Sequence, residues 1–527
     1  MLLNMTRARV FIREVNSLRF PLKMQFRTRS IRNYPTESNE IGDTSINLRP
    51  TEDIPGPKAL PLIGNLFRFM PYIGEYYNVN VLTLMRMLHE KYGNIVKLDG
   101  LKKQPTIFLF CPELCKSMYQ LQGKIPIRIA MEPLHNYRKN REDIYKGQYG
   151  LTTSQGELWK EFRSKVGPHM MRPKIVKMHV AQIHDITNEF VDKISTLLDP
   201  KTLELPDDFM NELYKWSVES MCSIALNYRM GCLKSNLAID SDAQIMINCV
   251  KEMFDLTYRI ENVPSLLEIN NRRNYQKLFN ALDKINGISA KYIENAKNNI
   301  LKTADADRDY SILEKLLCID EQTALVMALD ILMSTDTTSN AAGALLYHIA
   351  NNKEKQEKLR KEVMSVLPDK TTPITPDVLE KIPYVKGCIK ESMRLFPITN
   401  GILRNMPKDV SLGGYFIPKG TNVIACHAVL SMDPKYFACP MEYIPERWIR
   451  DSPEFSSHKS IHTYVYMPFG YGVRACIGQR FAEMELEILL LKVIRNFRIE
   501  WHYGPLEHES QIVNTVKSPL RFKLIDL

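Results

Sequence analysis

The chain has 527 residues, 44% of them hydrophobic, and a formal net charge of +10. That length and apolar content suit one large fold or two to four ordinary domains. Residues 1–36 hold eight Lys or Arg against a single acid, Glu14, and supply seven of the ten net charges, so a basic surface for nucleic acid loses its main support. Ten scattered cysteines without a Cys-x-x-Cys pair argue against a zinc ribbon or a disulfide framework and suit a reducing compartment.

In chain order, residues 1–36 read as a mitochondrial transit peptide: rich in Arg (Arg7, Arg9, Arg13, Arg19), poor in acids, and without an apolar run that could span a bilayer. A disordered basic tail is the alternative. Residues 37–53 read as a polar linker, and 54–527 as the folded domain. Ile54-Pro-Gly-Pro57 is a rigid extended start, because proline fixes φ and blocks helix. A helix from 81 ends at Lys91-Tyr92-Gly93. The strand Ile95–Leu98 follows and can pair with Thr106–Leu109. Residues 124–150, with Pro126, Pro133 and Gly147, read as a long connection of the kind that often binds ligands.

Trp159 and Arg163 stand four apart and share a helical face. They suit a carboxylate, although a half-buried Trp under an Arg stem explains them equally. Helices are expected near 175–198, 206–227, 240–258 and 271–300, with no catalytic constellation. The segment Gln322–Asn351 reads as one long, largely apolar helix interrupted by Ser334-Thr-Asp336-Thr337-Thr338. An acid and hydroxyls in such a helix must find partners or serve a function. A helix over 377–396 carries Lys386, Lys390 and the neighbouring pair Glu391 and Arg394. Strand-like runs follow at Ile398–Arg404, Val410–Phe416 and Thr421–Ala425, and Pro445-Glu-Arg447-Trp448 comes next. His458 and His462 have metal-like spacing but lack a third ligand nearby.

A strand-like run, Tyr464–Met467, leads to Phe469-Gly-Tyr-Gly-Val-Arg-Ala-Cys-Ile-Gly478. An amphipathic helix through Phe481, Met484, Leu486, Ile488 and Leu489 follows, then strands Phe497–Glu500 and Leu520–Ile525. Gly470, Gly472 and Gly478 permit sharp turns and close approach. N–H groups of the turn and helix start favour a thiolate at Cys476, which suits a soft, redox-active metal. Arg474 can pair with a cofactor carboxylate. Gly470-x-Gly472-x-x-Ala475, with Glu500 further on, also fits a loose dinucleotide fingerprint, but fewer than thirty residues remain after Glu500 for further βαβ units. A plain buried cysteine would leave the spacing unexplained.

Phe469-x-x-Gly472-x-Arg474-x-Cys476-x-Gly478 resembles the haem-binding signature of the cytochrome P-450 superfamily. Ile54-Pro-Gly-Pro57, Trp159-x-x-x-Arg163, Asp336-Thr337, Glu391-x-x-Arg394 and Pro445-Glu-Arg447 resemble its other motifs, in its order. The resemblance implies a mainly α fold with small β-sheets and haem b between the long oxygen-binding helix and the Cys loop. It implies Cys476 as the axial thiolate, and Trp159, Arg163, Arg404 and Arg474 as partners of the haem propionates. Asp336 and Thr337 would deliver protons during oxygen activation. Met333, Ser334 and Thr335 depart from the small residues usual before the acid. Glu391, Arg394 and Arg447 would form a buried structural triad.

The basic N-terminus resembles that of mitochondrial members of animal, arthropod-like type. That implies a [2Fe–2S] ferredoxin, itself reduced by an NADPH-dependent reductase, docking on Lys386, Lys390 and Arg480. Gln479 departs from the Arg usual there. It also implies peripheral contact with the matrix side of the inner membrane through the 175–300 stretch, with the segment 263–267 a candidate. The expected reaction is hydroxylation of a lipophilic, steroid-like molecule. The alternative is a haem-thiolate isomerase or dehydratase needing no redox partner. Arg128, Thr399, Asn400 and Asn514 are candidate pocket-lining residues.

Overall fold

The computed structural model describes residues 48–100, 105–129, 131–262, 268–302, 309–450, 462–510 and 513–527. Residues 1–36 and 263–267, and His458, lie outside the described residues. The fold is mainly α with small, separate β-sheets. Its proline-rich start lies against the first strand. The Lys97 N–H donates to Pro55 O at 2.9 Å, and a Cβ on Gly56 would sit 2.1 Å from Lys97 O, so glycine is required for this approach.

Helix α1 (Val81–Tyr92) is capped by Asn80, whose Oδ1 accepts from Leu82 N at 2.9 Å, and it stops at Gly93 with φ +95°. Strands β1 (Ile95–Asp99) and β2 (Pro105–Leu109) pair antiparallel, as their alternation implies. Helix α2 (Pro112–Leu121) follows. The expected connection 124–150 instead contains helix α3 (Glu132–Asn140) and short turns at Glu142–Tyr145 and Gly150–Thr153. Its anchor is a buried ion pair. Arg138 Nη2 lies 2.8 Å from Asp330 Oδ1, and Asp330 also accepts from Leu151 N and Thr152 Oγ1. Gly150 has φ +77°, and a Cβ there would lie 2.5 Å from both partners.

Helices α4 (Gly156–Met170), α5 (Val180–Leu197), α6 (Phe209–Leu226), α7 (Asp242–Asn262) and α8 (Glu268–Lys302) match the helix-rich stretch. The single helix expected over Gln322–Asn351 is two: α9 (Glu321–Leu332) and α10 (Thr335–Ala350), parted at Met333–Ser334. Hydroxyl chemistry accounts for the break. Ser334 sends both its N–H (2.9 Å) and its Oγ (2.7 Å) to Ile331 O, tightening the turn, and Thr337 Oγ1 donates to Ser334 O at 2.7 Å. The expected helix 377–396 is likewise split. A turn at Pro376–Glu380 precedes α12 (Pro383–Leu395), with Pro383 in the first-turn position proline favours, and α11 (Lys353–Val366) lies before both.

Strand β3 (Ile402–Asn405) is antiparallel to β6 (Asn422–Ala425), which runs parallel to β2, giving the sheet order β1-β2-β6-β3. The strand expected over Val410–Phe416 is a hairpin, β4 (Val410–Leu412) and β5 (Tyr415–Ile417), turning at Gly413 and Gly414 with positive φ. The run Tyr464–Met467 is irregular and forms no strand. Its Tyr464 ring packs instead on Tyr119 and Tyr471, with centroids 5.5 and 4.8 Å apart. Helix α13 (Gln479–Asn496) buries the expected apolar residues Phe481, Met484, Leu486, Ile488 and Leu489 in the main core. Strand β7 (Phe497–Glu500) pairs with β10 (Lys523–Asp526), which starts three residues later than Leu520. β8 (His508–Ser510) and β9 (Asn514–Val516) form a hairpin.

Removing one partner of a buried ion pair strands the other charge. Asp330→Ala should therefore lower stability by about 3–5 kcal/mol, read as a shift in the denaturant midpoint. A shift below about 1 kcal/mol would remove this pair as the anchor of residues 131–153.

Candidate functional site

The Cys loop hangs between the irregular 464–469 stretch and α13. Gly470 and Gly472 have φ near +75° and +78°, a region open to glycine, and let the chain double back so that Cys476 N reaches Phe469 O at 2.9 Å. Gly478 caps α13, and a Cβ there would stand 4.0 Å from the Cys476 sulfur. Protein surrounds the thiol, yet the residue is solvent-accessible, so it faces an internal opening. Burial pushes the thiol's pKa up. The N–H groups of Gly478 and Gln479 and the charges of Arg163 and Arg128 oppose the rise without cancelling it. In the chain by itself, desolvation outweighs the favourable dipoles.

Four guanidinium groups converge on this loop. Arg163, one turn after Trp159 on α4, donates to Ala475 O at 3.0 Å. Arg474 lies 4.6 Å from the Trp159 ring and donates to Pro126 O, Ser154 O and Gln155 Oε1 at 2.6–2.9 Å. Arg404, on β3, donates to Gln122 Oε1 at 2.6 Å. Arg128 donates through Nη2 to Thr152 O at 3.3 Å. Burial lowers all four pKa values, that of Arg474 to about 9 and that of Arg404 to about 10. Mutual repulsion adds to the fall: Arg128, Arg404 and Arg163 all act on Arg474. Among the described residues no carboxylate is paired with any of them, and the Nε atoms of Arg128 and Arg474 have no hydrogen-bond partner. Such a cluster is complementary to a dianionic group with its own carboxylates. A haem with two propionates beside a thiol ligand fits that description.

Sequence reasoning put Arg128 at the pocket wall; the structure puts it in the arginine cluster. It missed Gln155, which accepts from Arg474 and Arg128 N and donates to Arg128 O at 2.5 Å, tying the two arginines together. The Gln stands just before α4, where a signal other than a loop polar residue is lacking. Asn400 and Asn514 are tied to each other. Each amide donates to the other (3.1 and 2.9 Å), and Asn514 also donates to Pro397 O at 2.7 Å.

Asp336 and Thr337 open α10. Burial pushes the Asp336 carboxyl up to about 6, and Lys251 draws it partly back. Asn340 Nδ2 holds the Asp336 carbonyl at 2.7 Å, and Asn340 Oδ1 accepts from Val516 N at 2.8 Å. Asp336 is thus separate from the arginine cluster.

Glu391, Arg394 and Arg447 form one buried network. Arg394 is bidentate to Glu391 (2.8 and 2.9 Å), Arg447 Nε lies 3.0 Å from Glu391 Oε1, and Trp448 Nε1 adds a bond of 2.9 Å that the sequence did not show. Arg394 spends its remaining donors on Ser431, Pro440 and Glu442 carbonyls. Gly387 permits the contact, since a Cβ there would lie 2.9 Å from Pro445 O.

Lys390 and Arg480 are exposed and Lys386 is half-buried. Acids interleave them. Glu487, between Lys386, Glu483 and Lys390, is pushed up to about 7 by burial. His462 belongs to no metal-capable group among the described residues.

A sequence model of the family described as "Cytochrome P450" matches residues 54–524. The chain is 37% identical to "Probable cytochrome P450 12b2, mitochondrial" of Drosophila melanogaster, covering 92% of each chain. It is 36% identical to "Cytochrome P450 12b1, mitochondrial" of Drosophila acanthoptera, covering 91% of this chain and 90% of that one. It is 35% identical to "Cytochrome P450 CYP12A2" of Musca domestica, covering 91% of each. With its fold, its Cys loop and these relatives together, the chain belongs to the cytochrome P450 family of haem monooxygenases.

Proposed function

We propose that this chain is a mitochondrial monooxygenase that hydroxylates a lipophilic, steroid-like molecule, with haem b held by the Cys476 thiolate and by the four arginines. The observation that carries the reading is the cluster of Arg404 and Arg474, buried, with Arg128 and Arg163, half-buried, to which no carboxylate is paired among the described residues. When bound, the haem supplies reductive activation of dioxygen and insertion of one oxygen atom into an unactivated C–H bond. The arginines would pair with the propionates, and Phe469 and Gly478 would frame the sulfur. Cys476 would hold the iron as a thiolate, whose negative sulfur the Gly478 and Gln479 N–H groups would favour. Asp336, half-protonated near pH 6, is the proton donor, and Thr337, whose hydroxyl is held on Ser334 O, orients the transfer.

Electrons would come from a [2Fe–2S] ferredoxin fed by an NADPH-dependent reductase. Lys386, Lys390 and Arg480 would be its docking charges, with residues 1–36 a cleavable transit peptide. Among the described residues no helix is long and apolar enough to cross a membrane. Peripheral contact with the inner membrane is better supported at residues 60–87 than in the 175–300 stretch. There Leu62 (82%), Ile73 (70%) and Tyr72 (fully exposed) stand out, beside Leu60, Phe69, Met70 and Tyr77.

Met333, Ser334 and Thr335, standing where small residues are usual before the acid, favour a second reading, an isomerase or dehydratase that needs no redox partner. Product formed without dioxygen and ferredoxin would select it.

Reduced protein treated with carbon monoxide should show the strongly red-shifted Soret band of a thiolate complex, absent in Cys476→Ala; the band surviving that change would exclude this ligand. Charge reversal at Lys386 and Lys390 should slow reduction by ferredoxin on the order of tenfold or more at low salt and flatten its salt dependence. An unchanged rate would place docking elsewhere. Leu62→Asp with Ile73→Asp should release the protein from anionic liposomes; undiminished sedimentation would move the membrane face.

A further inference from the structure

A buried guanidinium ordinarily faces a carboxylate, because a lone buried charge is costly. Elsewhere in this chain that rule holds. Arg138 faces Asp330 and Arg394 faces Glu391, both at 2.8 Å. At the Cys loop it does not. Arg404, 2% exposed, puts its Nε 2.6 Å from Gln122 Oε1, and Arg474 puts its Nη1 2.9 Å from Gln155 Oε1. A glutamine stands in each place where a glutamate would supply the counter-charge. Asp330, the acid whose charge reaches Arg128, is itself held by Arg138.

Partner chemistry fixes which way each amide points. A guanidinium and a backbone N–H only donate, so the amide oxygen must face them. Gln155 Oε1 accepts from Arg474 and from the Arg128 N–H (3.0 Å), and its Nε2 donates to Arg128 O. Gln155 stands at the N-cap position of α4 but makes no side-chain cap there; its bonds go to the two arginines instead. Gln122 follows the last residue of α2 and is buried, and a Cβ on Gly472 would stand 3.6 Å from its Nε2. One amide therefore reaches from Arg404 to the Cys loop. Glutamate has nearly the same shape as glutamine and keeps an accepting oxygen. It differs by one negative charge, which would make the chain its own counter-ion and complete the arginine group without a ligand.

We propose that Gln122 and Gln155 are positioning residues for the cofactor: they aim Arg404, Arg474 and Arg128 while staying neutral, so that the positive charge is left for the carboxylates of a bound haem. The proposal rests on the arginine group holding the haem propionates.

The test follows haem leaving the full-length ferric protein. The parent, Gln122→Glu, Gln155→Glu, Gln122→Met, Gln155→Met and Arg474→Gln are each mixed with excess apo-globin as haem acceptor, and transfer is timed by absorbance. The ferric/ferrous midpoint potential is measured alongside. Each Glu variant should release haem on the order of tenfold faster than the parent, since a charge-assisted pair within the chain competes with the cofactor. Its potential should fall, because a negative charge is added beside the site. Each Met variant, neutral but without the accepting oxygen, should release haem more slowly than its Glu counterpart and keep the parent potential. A merely structural hydrogen bond gives the reverse order, because Glu retains the acceptor and Met does not. Each glutamine is judged by its own two variants: a Glu variant at the parent rate, or no faster than its Met counterpart, removes that residue. If Gln122→Glu does not accumulate, the Gln155 pair decides. Fast release from Arg474→Gln with both Glu variants at the parent rate overturns this proposal alone. Parent-rate release from Arg474→Gln overturns the propionate reading and this proposal with it.

Discussion

Like charges drawn together with no carboxylate paired to them among the described residues are the constraint around which this site is arranged. Arg128, Arg163, Arg404 and Arg474 come from four different places: the stretch before α3, helix α4, strand β3 and the Cys loop. Desolvation lowers the proton affinity of each, and Arg128, Arg163 and Arg404 lower that of Arg474 further. Such a cluster costs stability until an anion joins it, because burial penalises every charged form. Carbonyls of Pro126, Thr152, Ser154, Leu403 and Ala475, with Gln122 and Gln155, absorb part of that cost. What they leave unmet is what a cofactor carrying carboxylates would complete, so binding of that cofactor and folding of this region should be strongly linked.

A second charge network behaves in the opposite way. Glu391, Arg394 and Arg447 are equally buried, but Glu391 accepts from both arginines, Trp448 and Ile444 N, and Arg394 bonds three carbonyls. That network carries its counter-charge within the chain, so it holds α12 to the 440–448 segment whatever is bound elsewhere. The contrast lies in the counter-charge: Glu391 sits between its arginines, whereas no carboxylate is paired with the four at the Cys loop among the described residues.

Much of this was legible in the sequence wherever spacing alone sets geometry. Trp159 and Arg163 share a face because four residues make a helical turn. Glu391 and Arg394 meet because three nearly do, and glycines at 470 and 472 announce a reversal. Tertiary partners were not legible. Arg128 lies on an irregular segment with no period, so nothing local aims it at the Cys loop. The mutual amide pair of Asn400 and Asn514, across 114 residues, leaves no trace in either neighbourhood. The run Tyr464–Met467 has strand-forming residues, but its rings stack on Tyr119 and Tyr471 and no neighbour supplies a ladder. The break at Met333–Ser334 arises where the Ser334 hydroxyl bonds to Ile331 O and the Thr337 hydroxyl to Ser334 O, which a hydrophobic period cannot register.

The central claim is that a cysteine sulfur holds iron beside the arginine cluster. Resonance Raman spectra of the ferric protein, grown with natural sulfur and with a heavy sulfur isotope, test it most directly. The account predicts an iron–sulfur stretching band that moves to lower frequency on labelling. A haem-loaded protein with no isotope-sensitive band in that region, or with an iron–imidazole stretch in its place, would contradict it.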